Sequence, residues 1–196
     1  MAEPRRGKLV VMSGPSGVGK TTVLKRLLAT CSLPLRASVS ATTRPPRCGE
    51  VDGVDYHFLS DGEFRARRER GDFLECYEVY RSGWWYGTLK SEVTSGLEAG
   101  NWVVLGIDVH GAMAVVDQYP DAITIFLRPG SLEELEKRLR GRATEDEQVL
   151  KRRLEQAKNE LAWAERYRYQ VVNDDLDRAV REICQILVCN GETQHV

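Results

Sequence analysis

Apolar residues recur in short runs at 9–12, 37–40, 102–107, 122–127 and 169–172, and segments of helical period separate several of them. A half-exposed strand alternates polar with apolar positions, whereas a strand covered on both faces reads as a continuous apolar run. Trp102-Val103-Val104-Leu105 is of the second kind. Strands alternating with helices predict an α/β fold, with helices covering a parallel sheet. One helix is expected over Thr21–Thr30. Ser60-Asp61-Gly62-Glu63 has the spacing of a capping box and predicts a helix over 61–70 that stops at Gly71. Ser131-Leu132-Glu133-Glu134 repeats the device, with a stop expected at Gly141. A long charged helix is expected over about 145–166, with Leu150, Leu154, Ala157 and Leu161 at helical spacing. The last helix, about 176–189, carries Leu176, Val180, Ile183 and Leu187 on one stripe.

The alternation breaks between about 41 and 90, where short strand-like pieces (Tyr56-His57-Phe58 and Phe73 to Val79) stand among turns, aromatics and arginines. This stretch reads as an insertion after the second strand, well placed for a second substrate. No internal repeat or low-complexity tract interrupts the chain. Its 196 residues suffice for one domain with a real core.

Composition narrows the partners. With 28 basic against 29 acidic residues the net charge is −1, so no strong field favours nucleic acid or an anionic membrane. The five cysteines are odd in number and lack C-x-x-C spacing, which predicts reduced thiols. No apolar run reaches membrane length, and Met1-Ala2-Glu3-Pro4-Arg5-Arg6 lacks the apolar centre of a signal peptide. A cytoplasmic protein is expected, either a monomer or a small homo-oligomer.

The first chemical signature is Gly14-Pro15-Ser16-Gly17-Val18-Gly19-Lys20-Thr21, which follows the apolar run at 9–12 and leads into the first helix with Thr22. It fits G-x-x-x-x-G-K-[ST] in its proper strand-to-helix context. The glycines let successive N–H groups point at phosphate oxygens, and the helix adds its positive end. Lys20 supplies a cation for the β- and γ-phosphates, and the Thr21 hydroxyl a ligand for magnesium bound with ATP.

The second signature is Ser38-Val39-Ser40-Ala41-Thr42-Thr43-Arg44-Pro45-Pro46-Arg47-Cys48-Gly49-Glu50-Val51-Asp52-Gly53-Val54-Asp55-Tyr56. Two arginines three apart, stiffened by two prolines, make a fixed fork for an oxyanion, and Tyr56 can add a hydroxyl donor. Standing alone, the stretch reads equally well as a proline-rich surface loop.

With these pieces in place, the chain closely resembles the guanylate kinase family. The likeness continues in G-D-F-L-E at 71–75, Y-G-T at 86–88, I-D-V-H-G at 107–111, K-R-L-R-G-R-A-T at 137–144, K-R-R-L at 151–154 and V-N-D-D-L-D at 172–177. It runs in order from about 8 to 188. The resemblance implies a P-loop NTPase three-layer sandwich with a parallel core sheet, a small mixed α/β insertion and a helical lid. The core would comprise 1–36, 91–136 and 168–196, the GMP-binding insertion 37–90, and the lid 137–167. It implies a transferase moving the γ-phosphate of ATP to GMP, and to dGMP as well, to give ADP and GDP. Arg44, Arg47, Tyr56 and Tyr86 would clamp the acceptor's phosphate, while Ser40, Glu75, Thr88 and Asp108 would serve its guanine end. For Glu75 the chemistry agrees, because guanine offers N1–H and its 2-amino group as adjacent donors and a carboxylate accepts both. Arg138, Arg142 and Arg153 would join Lys20 and Arg44 in stabilising the transferring phosphoryl group. Asn173 matches a position near the adenine end or the lid, and could equally cap the helix begun by Asp174 and Asp175. The acceptor phosphate ionises near neutral pH, so none of His57, His110 and His195 is needed as a base.

Four departures stand out. The family usually carries an acidic residue two positions before Asp108, where this chain has Gly106. Either Asp108 serves the metal as well, or water fills the space. His110 replaces a usual glutamine, Arg128-Pro129-Gly130 replaces a Pro-Pro pair, and Tyr80 to Trp85 forms a longer loop. Intact Lys20, Thr21, Glu75 and arginine sets predict that activity survives. Two other readings are a non-catalytic protein-binding module, opposed by the complete phosphate loop, and a sugar-phosphate kinase, opposed by Ser40, Glu75 and Thr88. Two nucleotides that must meet away from water also predict closure on binding both.

Overall fold

In the computed structural model, which describes residues 7–78, 83–140 and 147–192, strands and helices alternate as the apolar pattern requires. Along the chain run β1 (Leu9–Ser13), α1 (Lys20–Thr30), β2 (Leu35–Ala37), β3 (Ser40–Thr42), β4 (His57–Phe58), α2 (Asp61–Glu69), β5 (Phe73–Glu78) and β6 (Trp85–Leu89). There follow α3 (Lys90–Glu98), β7 (Trp102–Gly106), α4 (Val109–Gln118), β8 (Ile123–Arg128), α5 (Leu132–Arg140) and α6 (Glu147–Leu161). A 3-10 turn (Ala164–Arg166), β9 (Tyr169–Val172) and α7 (Leu176–Glu192) complete it.

The chain divides into two compact units, one built from the described parts of Met1–Leu9, Pro34–Leu105 and His110–Ala122, the other from those of Val10–Leu33, Gly106–Val109 and Ile123–Val196. In the first, β2 pairs in parallel with β7, and a separate four-stranded sheet has the order β4-β3-β6-β5. That second sheet is mixed, with β3 parallel to β4 and antiparallel to β6. The apolar run at 37–40 is therefore not one strand. The chain leaves one sheet after Ala37 and enters the other at Ser40, because a single strand cannot hydrogen-bond into both ladders.

One face of the four-stranded sheet is closed by α2. Ser60 and Glu63 form the full capping box, with Glu63 Oε2 accepting the Ser60 N–H at 2.9 Å. The helix buries Phe64, which stacks on Phe73 of β5 at 4.4 Å between ring centroids. Ala41, Leu89 and Cys76 complete this small core. Burial of a large apolar side chain contributes about 1.5–3 kcal/mol, so these few residues are enough to fix the sheet's inner face. Its other face is left for polar side chains.

In the second unit β1, β8 and β9 form parallel pairs, β8 lying between the other two. All five residues of β1 are buried, as are Ile123 to Leu127 of β8, which explains their unbroken apolar pattern. Helices α1 and α7 pack together, α7 burying Ala179, Val180, Ile183 and Leu187. The charged segment expected as one helix over 145–166 is shorter, since α6 stops at Leu161 and a 3-10 turn buries Ala164. Leu150 and Ala157 of α6 pack on Leu135 and Leu139 of α5. Among the described residues no helix is long and apolar enough to cross a membrane.

Candidate active site

The loop Gly14–Gly19 links β1 to α1 and leaves the helix uncapped. Gly19 stands at the cap with φ +100°, gives no side-chain cap, and no acidic residue occupies the first turn. The unfilled N–H groups of that turn and the helix dipole therefore favour an anion. α2, by contrast, spends its first turn on Ser60, Asp61 and Glu63. A Cβ at Gly19 would lie 2.7 Å from Asn173 Nδ2, so both conformation and space demand glycine there.

Polar side chains clamp the loop's backbone. Asn173 is 5 % exposed and donates from Nδ2 to the Val18 carbonyl at 2.7 Å. Arg138 Nη1 donates to the same carbonyl at 3.2 Å, while its Nη2 donates to the Asn173 carbonyl at 2.9 Å and to Glu134 at 3.2 Å. Lys20 Nζ lies over the loop, donating to the carbonyls of Gly14 at 2.6 Å and Pro15 at 3.3 Å. Thr21 and Thr22 are exposed on the first turn of α1. The capping role left open for Asn173 belongs instead to Asp175, whose Oδ1 accepts the Arg178 N–H at 2.7 Å. Arg153 is half-buried on α6. Arg142 lies outside the described residues, as does Gly141.

A buried polar group flanks the loop. Ser13 is fully buried just before Gly14. Burial pushes the Tyr167 phenol well above the ordinary tyrosine value, and the charges of Asp108 and Glu160 add to the shift. Asp108 thus belongs to the unit that holds the loop. Gly106 is exposed at the end of β7, where among the described residues an added Cβ would touch only Leu24 Cδ2 at 3.5 Å.

The other candidate residues gather on the polar face of the four-stranded sheet. Ser40 pairs with Thr88 across β3 and β6, and Thr88 with Glu75 across β6 and β5. Three residues distant in sequence therefore form one row. Thr88 Oγ1 donates to Glu75 Oε1 at 2.5 Å. Glu75 reaches this face through a bulge: Phe73 pairs with Leu89 but Glu75 with Thr88, so Leu74 is the extra residue. In regular register Glu75 would share the face of Phe73. Gly87 keeps β5 and β6 close, since a Cβ there would lie 2.8 Å from Cys76 Cβ and 2.9 Å from Phe73 Cδ1.

Next along the same face stands Arg44, only 8 % exposed. Its Nε donates to Tyr86 Oη at 3.0 Å, Nη1 to the Pro45 carbonyl at 2.7 Å, and Nη2 to Glu50 Oε1 at 2.9 Å. The guanidinium also lies over the Tyr56 ring at 5.4 Å. Burial works against its charge, but the bonds to Tyr86 and Glu50 prevail and hold its pKa above the ordinary arginine value. Glu50 also accepts the Arg47 N–H at 2.7 Å. For that carboxylate too, desolvation is outweighed, by the Arg47 and Arg44 bonds, and its pKa is lowered. Arg44 is thus a fixed cation, whereas Arg47 is exposed.

Two residues escaped the sequence reading. Glu50 could have been suspected as the carboxylate nearest in sequence to both arginines. Glu160, whose Oε2 accepts the Ser16 N–H at 3.1 Å, is 144 residues from its partner and gave no local signal.

A buried strand running through a glycine loop into an uncapped helix, within a parallel sheet covered by helices, defines a phosphate-loop α/β protein. A family model described as guanylate kinase matches residues 6–189. The guanylate kinase of Rhodopirellula baltica is 55% identical over 188 residues, spanning 95% of this chain and 90% of its own. That of Caldanaerobacter subterraneus subsp. tengcongensis is 45% identical over 188 residues, covering 96% and 90%. The crystal structure of guanylate kinase from Anaplasma phagocytophilum superposes with a TM-score of 0.78 at 30% identity, over 95% of this chain and 87% of that one. The chain belongs to the guanylate kinase family.

Proposed function

We propose that this protein is an ATP:GMP phosphotransferase in which Gly14–Thr22 and Asn173 serve ATP and the row Ser40–Thr88–Glu75 reads guanine. The observation that carries the reading is this row, with its carboxylate already oriented by the Thr88 hydroxyl. Guanine's N1–H and 2-amino group both donate, and Glu75 accepts. Adenine has an acceptor at N1 and would leave the carboxylate unpaired. dGMP carries the same guanine edge and is accepted too.

The roles follow from charge and reach. Arg44, held by Glu50 and Tyr86, presents its remaining N–H groups with Arg47 and Tyr56 to the acceptor's phosphate. Phosphoryl transfer requires little covalent work, so positioning and cationic stabilisation supply the acceleration. Lys20, Arg138, Arg142 and Arg153 provide that charge, with 137–167 acting as a lid and 37–90 as the acceptor-binding part. The exposed Thr21 hydroxyl suits a hard cation that keeps most of its waters, and would hold the magnesium ion of Mg-ATP. That ion, when bound, neutralises phosphate charge. Asp108 adds a carboxylate in the loop's own unit. The reaction serves purine nucleotide metabolism in the cytoplasm, with ATP and GMP as partners, by a monomer or small homo-oligomer that needs neither nucleic acid nor membrane.

The test is a coupled diphosphate assay with Mg-ATP against GMP, dGMP, AMP, CMP, UMP and a sugar phosphate. Turnover with the two guanine nucleotides alone is expected. No diphosphate from GMP, or an equal rate with AMP, overturns the proposal.

A further inference from the structure

The buried Glu160 carboxylate lies beside a loop built for anions, where its charge has the wrong sign to attract phosphate. It is 6 % exposed in the last turn of α6, and a carboxylate withdrawn from water persists only when hydrogen bonds compensate it. Its partner is informative. The Ser16 N–H and the Pro15 carbonyl belong to one planar peptide group. At one end Glu160 Oε2 accepts the N–H at 3.1 Å. At the other the carbonyl accepts the Val18 N–H at 3.1 Å and Lys20 Nζ at 3.3 Å. A hydrogen-bond chain therefore runs from the carboxylate through a single peptide to the Lys20 ammonium, and such chains polarise their members. Rotation of that peptide would carry its carbonyl away from Lys20 and open the turn closed by Val18.

We infer that Glu160 is a positioning residue, which pins the Pro15–Ser16 peptide and thereby holds Lys20 and the loop amides in register for the triphosphate. The inference rests on the proposed binding of ATP at this loop. Asn173 and Arg138 restrain the loop through the Val18 carbonyl, whereas Glu160 grips an N–H, so the two restraints set different peptides. Reach is the essential property. Leu150 and Ala157 seat α6 on α5, which fixes how far the Glu160 side chain must extend.

Substitutions separate reach from charge. Glu160→Asp keeps the charge but withdraws the carboxylate by one methylene, whereas Glu160→Gln keeps the length and still offers an oxygen acceptor. Initial rates against ATP and GMP, ATP binding by calorimetry and thermal melts would be measured for both, with Glu160→Ala as a third variant. Glu160→Asp is expected to raise KM for ATP about tenfold or more and to lower kcat, with KM for GMP within about twofold of wild type. Glu160→Gln is expected to restore both to within about threefold of wild type. Glu160→Asp behaving as wild type, or KM rising equally for both nucleotides, overturns the inference, as does Glu160→Gln behaving like Glu160→Asp. The Gln and Asp pair decides even where Glu160→Ala fails to fold. Wild type that binds no ATP overturns the reading of the loop. Wild type that binds ATP beside an unaltered Glu160→Asp overturns the role of Glu160 alone.

Discussion

Thr88 donates its hydroxyl to Glu75 across neighbouring strands, Oγ1 to Oε1 at 2.5 Å. The bond orients a carboxylate that the strand register has already placed beside Ser40's partner, so under the proposed guanine reading little ordering would remain for the base to impose. Preorganisation of this kind is how a site converts one charge into discrimination.

Glu75→Gln replaces one acceptor oxygen with an amide donor facing donors on guanine. It should lower kcat/KM for GMP at least about 100-fold, since unpaired buried groups are strongly discriminating. KM for ATP should stay within about twofold. Initial rates against each nucleotide check both, and an unchanged preference for GMP over AMP would remove Glu75 from guanine reading.

The Arg44–Glu50 pair should make stability depend on pH at the acid end. Glu50 lies below the ordinary value of 4.5 in the folded protein, so the unfolded chain takes up its proton first as pH falls. The pair's contribution is therefore complete above about pH 5 and fades as pH drops through the folded value. Thermal melts of wild type and Glu50→Gln should differ most near neutrality and converge as pH falls below the ordinary carboxylate value. A constant gap across that range would contradict the assignment.

Lys20→Ala removes a cation from the loop while leaving the β1–α1 backbone intact. By analogy with loss of one preorganised donor, kcat should fall at least about 100-fold with the melting temperature nearly unchanged. Chelation of magnesium by EDTA should likewise abolish turnover, with recovery on adding the metal back. Turnover that survives EDTA would mean that metal has no part in the transfer.

Gly106→Asp introduces the carboxylate that the family resemblance leads one to expect at this position. The position is exposed, and among the described residues only Leu24 Cδ2, at 3.5 Å, would lie within 4 Å of a new Cβ. The variant should therefore fold with stability changed by less than about 1 kcal/mol. If a carboxylate there helps to hold magnesium or its waters, half-maximal activity should come at lower magnesium concentration. A magnesium titration of both proteins decides this, and an unchanged midpoint would mean that Asp108 and water already suffice.

Much of the fold was legible because its causes are local. Buried parallel strands require unbroken apolar runs, and four of the five expected runs appear as strands with ends shifted by no more than a residue. Ser60–Glu63 and Ser131–Glu134 announce helix starts, because a cap is made by residues three apart. The phosphate loop is equally local: glycines, lysine and threonine at fixed spacing specify an open helix end whatever surrounds it.

Other features depend on which strand lies beside which. Whether Glu75 faced the α2 core or the polar face depended on the bulge at Leu74, and nothing in its own neighbourhood marks an extra residue. The break between β2 and β3 arose because two ladders compete for one apolar run. Arg44 became a fixed cation through Tyr86, brought from 42 residues away. Glu160 met Ser16 only because α6, seated on α5, delivers its last turn to the loop. The sequence by itself determined most of the strand and helix pattern and the phosphate-loop motif, because spacing and residue chemistry carry those. Register, the bulge and the long-range clamps were decided by tertiary structure, since they depend on which distant backbones and side chains packing brings within hydrogen-bonding distance.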